Sequence, residues 1–274
     1  MKSKTPVLLS ISGSDSSACA GLQADLKTAS AIGVYCATAV TAVTAQNTCE
    51  VTRIYTLPPE VISAQIDAVF SDLSVGVVKT GMLGSRETIL ALAKGLERWA
   101  DGVPIIVDPV MVSTTGTSLL EAGAERVLVE ALMPMAALVT PNLEEAAALT
   151  GAPVARNEEE AKDQAAKLVA LGPRGVLLKG GHGSGPEARD VFYDGESFRV
   201  YSAPRIAIER GVRGTGCTLA SAIASLLVRG LAMDDAIAQA KAYVHGAIEH
   251  AAGLEVGSGR GPVSHFYRAL AALR

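Results

Sequence analysis

The order of the apolar segments is what most constrains this chain. Short β-branched runs at residues 7–12, 35–44, 76–80, 104–108, 137–140 and 175–179 alternate with Ala- and Leu-rich stretches. Those stretches, at 23–32, 59–73, 86–99, 118–131, 143–150 and 158–171, read as helices. The strand runs are continuously apolar rather than alternating, which suits parallel strands buried on both faces. Strand and helix in strict alternation are the signature of βαβ units, so the expected fold is a three-layer α/β/α sandwich with a mostly parallel central sheet. After residue 179 the pattern changes. A glycine-rich loop over 180–186 leads into runs at 191–193 and 197–201 around an Asp194-Gly195 turn, an antiparallel hairpin expected at the sheet edge. Two helical stretches follow, at 217–229 and 234–251, and no linker or repeat interrupts the chain, so 1–274 reads as a single domain.

Composition removes several classes of function. With 49% hydrophobic and 19% charged residues the chain can bury a large core, and with 4% aromatics that core must be built from Ala, Val, Leu and Ile. A net charge of -4 argues against a nucleic-acid partner, which calls for a basic face. No stretch approaches the roughly 20 apolar residues of a membrane span, and Met1 to Ser10, with Lys2 and Lys4, leads into a turn rather than a cleavage site. Cys19, Cys36, Cys49 and Cys217 form no C-x-x-C pair, so reduced thiols in a cytoplasmic protein are expected.

Polar residues gather where strands end: Ser14-Asp15, Gln46-Asn47, Lys79, Asp108, Asn142 and Lys179. In open α/β sheets ligands bind beyond the carboxyl ends of the strands, so one crevice would collect them. The sharpest local signal is Arg213-Gly214-Thr215-Gly216-Cys217-Thr218 at the start of an Ala-rich helix. Glycines admit close approach to a ligand, and the first helical turn offers unpaired N–H groups and a positive dipole end, together an anion hole for a phosphoryl group. The alternative is a plain glycine turn. The dipole would lower the pKa of a thiol at that position, so Cys217 could accept a proton from an alcohol; the alternative is a small buried hydrophobe. Asn142 and Glu145 could hold water around Mg²⁺ or could simply form a capping box. Lys179 could neutralise a phosphate or reach solvent, and Asp108 could lie near metal or in a turn.

In series these segments resemble the ribokinase-like superfamily, and within it the hydroxymethylpyrimidine/phosphomethylpyrimidine kinase family, near the pyridoxal kinases. The resemblance runs through Gly13-Ser14-Asp15-Ser16-Ser17, Ala20-Gly21-Leu22-Gln23-Ala24-Asp25, Gln46-Asn47-Thr48, Lys79-Thr80-Gly81-Met82 and Asp108-Pro109-Val110-Met111. It continues through Thr140-Pro141-Asn142-Leu143-Glu144-Glu145, Lys179-Gly180-Gly181-His182, Gly214-Thr215-Gly216-Cys217 and Gly261-Pro262-Val263, in matching order over nearly the whole chain. It implies ATP-dependent phosphorylation of an aminopyrimidine alcohol, its monophosphate, or both, in thiamin synthesis, with MgATP as donor. By position it implies Gln46 on the pyrimidine edge and Gly13, Ala20, Asp25, Met82 and Val110 around the substrate. It also implies Cys217 as base, Gly214, Thr215 and Gly216 as anion hole, and Lys179 on the phosphates. Asp108, Asn142 and Glu145 would organise hydrated Mg²⁺, Lys241 would lie near the nucleotide, and the chain would be a homodimer.

Two departures from the family pattern stand out. Ala18-Cys19 replaces the usual Gly-Gly of the first loop, and Gly211-Val212-Arg213 replaces Asn-Thr-His ahead of the anion hole. The first suggests a tighter pocket or stiffer loop. The second places a fixed positive charge where a phosphorylated substrate or ATP phosphates would lie, which would favour the monophosphate reaction; the alternative is an arginine in solvent. Two other readings keep the same fold, a pyridoxal/pyridoxine kinase and a pyrimidine-binding protein without catalysis.

Overall fold

The computed structural model describes residues 5–113, 116–181 and 185–271. Lys2, Lys4, His182 and the loop positions 183–184 lie outside the described residues. The first half runs β1 (Val7–Asp15), α1 (Gly21–Ile32), β2 (Tyr35–Gln46), β3 (Val51–Thr56), α2 (Pro59–Asp72), β4 (Val77–Thr80), α3 (Arg86–Trp99) and β5 (Ile105–Val107). Then follow α4 (Ala124–Val127), a π turn and a 3-10 turn, β6 (Leu138–Val139), α5 (Leu143–Thr150), α6 (Glu158–Val169) and β7 (Val176–Leu178). The last part is β8 (Glu187–Tyr193), β9 (Phe198–Pro204), β10 (Val212–Arg213), α7 (Thr215–Val228), α8 (Met233–Glu249), β11 (Gly261–Pro262) and α9 (Tyr267–Ala271).

Nine strands form one sheet in the order β3-β2-β1-β4-β5-β6-β7-β8-β9. From β2 to β7 every pairing is parallel; β3 at one edge and the β8–β9 hairpin at the other are antiparallel. Side chains of β1 alternate across the sheet. Val7, Leu9 and Ile11 join a core built with Ile62 and Ile66 of α2, Ile89, Leu92 and Leu96 of α3, and Ala165 and Leu168 of α6. Leu8 joins Val77, Ile106, Leu138 and Leu177 against Ala29 of α1 and the apolar faces of α7 and α8. Each fully buried aliphatic side chain contributes about 1.5–3 kcal/mol, and helices on both faces supply that burial without many aromatics. The expected three-layer fold, mostly parallel with an antiparallel edge hairpin, is the one observed.

α7 is the middle helix of its layer. Nine consecutive residues, from Thr218 to Leu226, are buried, because Ala220, Ala222, Ala224, Ser221 and Ser225 are small enough to pack on every side. Its N-terminus is therefore held fixed against the carboxyl ends of the strands.

One helix differs from expectation. The segment 118–123 is not helical: Leu120 bridges Gly84, Ser118 bridges Val112, and the helix begins only after Gly123, whose φ of 85° is left-handed. Glycine there stops the helical pattern from extending upstream, and Pro134 ends it in a 3-10 turn. β3 was not expected either, because Val51–Thr56 is largely exposed and carries no continuous apolar run.

Candidate active site

The strand order reverses direction around β1, between β2 and β4, and the carboxyl ends of the parallel strands open there into a cleft of about 660 Å³. Its lining takes in Gly13 and Ala20 of the first loop, Gln46 at the end of β2, Met82 after β4, and Asp108 and Val110 after β5. It continues through Asn142 and Glu145 at the start of α5, Lys179 after β7, Arg213, Gly214, Thr215, Gly216 and Cys217 at the start of α7, and Lys241 of α8.

The first loop is tied down by one carboxylate. Asp15 Oδ1 accepts from Ser17 N at 2.8 Å and Ser17 Oγ at 2.7 Å, while Oδ2 accepts from Cys19 N at 3.1 Å and Ala20 N at 2.9 Å. Ser16 Oγ in turn donates to the Gln46 carbonyl at 2.7 Å, fixing the loop against the end of β2. Gly214 packs so closely on this loop that a Cβ would run into the Cys19 carbonyl, and its φ of 78° is left-handed, so position 214 accepts only glycine without distortion.

At the floor, Lys179 Nζ donates to Asp108 Oδ1 at 2.8 Å, with Glu145 Oε2 at 3.9 Å, and the same Nζ lies 3.2 Å from where a Cβ on Gly216 would stand. Burial opposes the Lys179 charge, but the Asp108 and Glu145 carboxylates hold its pKa above the ordinary lysine value. Burial also opposes the Asp108 charge, and Lys179 and Lys79 more than reverse it, keeping that carboxyl low. Glu145 behaves oppositely. Burial pushes its pKa up to about 7, Lys179 lowers it only in part, and Asp108 raises it further. Asn142 and Glu145 do form the capping box: Asn142 Oδ1 accepts from Glu145 N at 2.7 Å and Glu145 Oε2 accepts from Asn142 N at 2.8 Å. Both still face the cleft.

Two expectations and one alternative change. Asp25 does not line the cleft; it is fully buried beneath it, bonded to Lys79 Nζ at 2.9 and 3.0 Å and to the hydroxyls of Ser10 and Ser221 at 2.6 Å each. Arg213 does not reach solvent; it is 2% exposed, with Nη1 donating to the Asn47 carbonyl at 2.6 Å. The Cys217 thiol is not acidic. Burial raises its pKa to about 11, and Lys79 and a backbone hydrogen bond from Gly21 only partly offset this. The helix dipole favours the thiolate, but desolvation of the buried thiol is the larger effect here.

One residue, Asp190, carried no expectation, and one, Lys79, was named without a role. Asp190 in the middle of β8 accepts from Lys241 Nζ at 2.7 Å and Gly180 N at 3.0 Å, aligning a lysine with the cleft. Its only sequence signal was a carboxylate directly ahead of the apolar run at 191–193. Lys79, noted as a strand-end polar residue, carries a buried charge under Cys217.

A family model for phosphomethylpyrimidine kinase matches residues 15–264. The chain belongs to that family. It is 52% identical over 264 residues to the hydroxymethylpyrimidine/phosphomethylpyrimidine kinase of Rhizobium meliloti (strain 1021), covering 96% of this chain and 98% of the relative. The solved phosphomethylpyrimidine kinase of Clostridium difficile 630 superposes with a TM-score of 0.78 at 41% identity, over 89% of this chain and all of that one. The pyridoxal kinase of Staphylococcus aureus in complex with AMP-PCP and pyridoxal gives a TM-score of 0.88 at 31% identity, over 97% and 96% of the two chains. Phosphomethylpyrimidine kinases are phosphotransferases, and this chain is one of them.

Proposed function

We propose that the cleft transfers the γ-phosphoryl group of ATP to the hydroxymethyl group of an aminopyrimidine and then to the resulting monophosphate, as a step of thiamin synthesis. The observation that carries this is the meeting of a ring-sized wall, Gln46, Met82 and Val110, with Cys217, the 214–216 loop and Lys179 in one cavity. Gln46 presents an amide to the ring edge, and Gly13 keeps the wall open, since a Cβ there would lie 2.8 Å from Met82 Sδ. Lys179, protonated throughout the neutral range, and Lys241, aligned by Asp190, draw the donor phosphates toward the start of α7. The N–H groups of the first helical turn receive the charge that develops on the transferring group. Transfer through a loose transition state asks mainly for alignment and charge neutralisation. Cys217 takes the proton of the attacking alcohol.

Among the described residues no cluster of three acidic or soft ligands could hold a bare metal ion. A hydrated Mg²⁺ fits better: Glu145 is a buried carboxyl that burial and Asp108 hold back from ionising, and a nearby cation would relieve that. Asp108, Asn142 and Glu145 would hold it through water, and it would neutralise donor-phosphate charge. Homodimer formation and a single-domain organisation belong to the same reading. Among the described residues no helix is long and apolar enough to cross a membrane.

Coupled ADP release with the aminopyrimidine alcohol, its monophosphate and pyridoxal in parallel tests the proposal. Turnover of the pyrimidines well above pyridoxal is expected. Pyridoxal as the better substrate, or saturable binding with no ADP formed, would overturn it.

A further inference from the structure

Arg213 sits immediately before the anion hole, at the end of β10, and its side chain is withdrawn from solvent. A guanidinium carries five donors and cannot lose its charge. Here Nη1 donates to the Asn47 carbonyl, Nε has no hydrogen-bond partner, and no carboxylate among the described residues forms an ion pair with it. A buried cation without a counter-ion is costly, and the positive end of α7 beside it adds to the cost. Both features are relieved together by one anion in the cleft.

Position decides which anion. Asn47 follows Gln46 directly, so the guanidinium is anchored to the acceptor wall. On the kinase reading the donor phosphates are met by Lys241, which stands on a different element, α8, and is aligned by Asp190. We infer that Arg213 holds the phosphomonoester of an acceptor that has already been phosphorylated once, and so biases the enzyme toward the second transfer. This rests on the kinase reading above. In that transfer an oxygen of the acceptor phosphate attacks the γ-phosphorus of ATP. A new P–O bond forms, the bond from the γ-phosphorus to the bridging oxygen breaks, and the electron pair leaves with ADP. The acceptor is already ionised near neutral pH, so no base is needed. Arg213 and the first amides of α7 screen its charge against that of ATP.

The test is steady-state kinetics of the wild type, R213K and R213Q with the alcohol and the monophosphate. R213Q should lower the ratio of kcat/KM for monophosphate over alcohol by about 30-fold, through KM for the monophosphate. R213K, which keeps the charge and loses the fork, should recover part of that ratio. An equal loss on both acceptors would mark Arg213 as a prop for Asn47 only, and a raised KM for ATP would assign it to the donor; either overturns the inference, as does an unchanged ratio. Should R213Q not fold, inorganic phosphate against the wild type still decides. Inhibition competitive with the monophosphate and not with ATP supports the inference, and the reverse pattern removes it. A wild type inert on both acceptors would remove the kinase reading as well, whereas an active one with an unmoved ratio removes only this one.

Discussion

At the residue scale, Ala18 and Cys217 show how single positions depart from expectation. Ala18 adopts φ 57°, the one left-handed non-glycine among the described residues. Its conformation is imposed by the Asp15 knot and by Lys27 Nζ, which donates to the Ala18 carbonyl at 2.9 Å. The left-handed region costs an alanine roughly 1–2 kcal/mol, and glycine returns part of that through chain entropy. Ala18→Gly should therefore stabilise the protein by about 0.5–1 kcal/mol, read from urea denaturation midpoints; a loss of stability would show that no strain is stored there. For Cys217, a thiol with a pKa of about 11 leaves little thiolate at neutral pH, so turnover of the alcohol should rise with pH below that value. Cys217→Ala should reduce alcohol turnover by about 100-fold and abolish that rise. The monophosphate, which brings its own charge, should lose far less. Equal losses on the two acceptors would contradict a role as base.

At the element scale, the N-terminus of α5 joins a structural cap to a site carboxylate. The folded Glu145 carboxyl is raised from its ordinary value near 4.5 to about 7, so the folded chain holds a proton that the unfolded chain releases between those values. Its contribution to stability is complete below pH 4.5 and is lost as pH rises through 7. Cation binding favours the ionised form, so the apparent KM for Mg²⁺ should fall between roughly pH 6 and pH 8. In Glu145→Gln that dependence should vanish. A flat wild-type profile would mean that Glu145 acts only as a cap. The elements themselves were largely legible because buried parallel strands must be continuously apolar and their crossover helices must carry one apolar face. What escaped were elements held by pairing rather than burial. β3 lies exposed on the edge of β2, β10 and β11 pair over two residues each, and 118–120 is taken up by bridges to Gly84 and Val112.

At the scale of the whole molecule, the site's location followed from topology, and the residues named at the strand ends mostly face one cleft. The exceptions are electrostatic. The family resemblance put Asp25 at the substrate but could not reveal that Lys79 draws it below the floor. Nor could it reveal that desolvation outweighs the helix dipole at Cys217. The Asp25–Lys79 pair, with Ser10 of β1 and Ser221 of α7, joins the sheet to the helical layer that carries the anion hole. Removing one partner strands a buried charge, so Lys79→Met should destabilise the fold by about 3–5 kcal/mol in urea unfolding. A change under about 1 kcal/mol would show the pair to be dispensable. The most direct measurement is a ³¹P NMR time course of the purified protein with MgATP and the aminopyrimidine alcohol. A phosphomonoester resonance should appear and then give way to the paired resonances of a diphosphate as ATP becomes ADP. Release of inorganic phosphate alone, with no organic phosphate formed, would contradict a cleft built to carry the phosphoryl group from ATP to the pyrimidine.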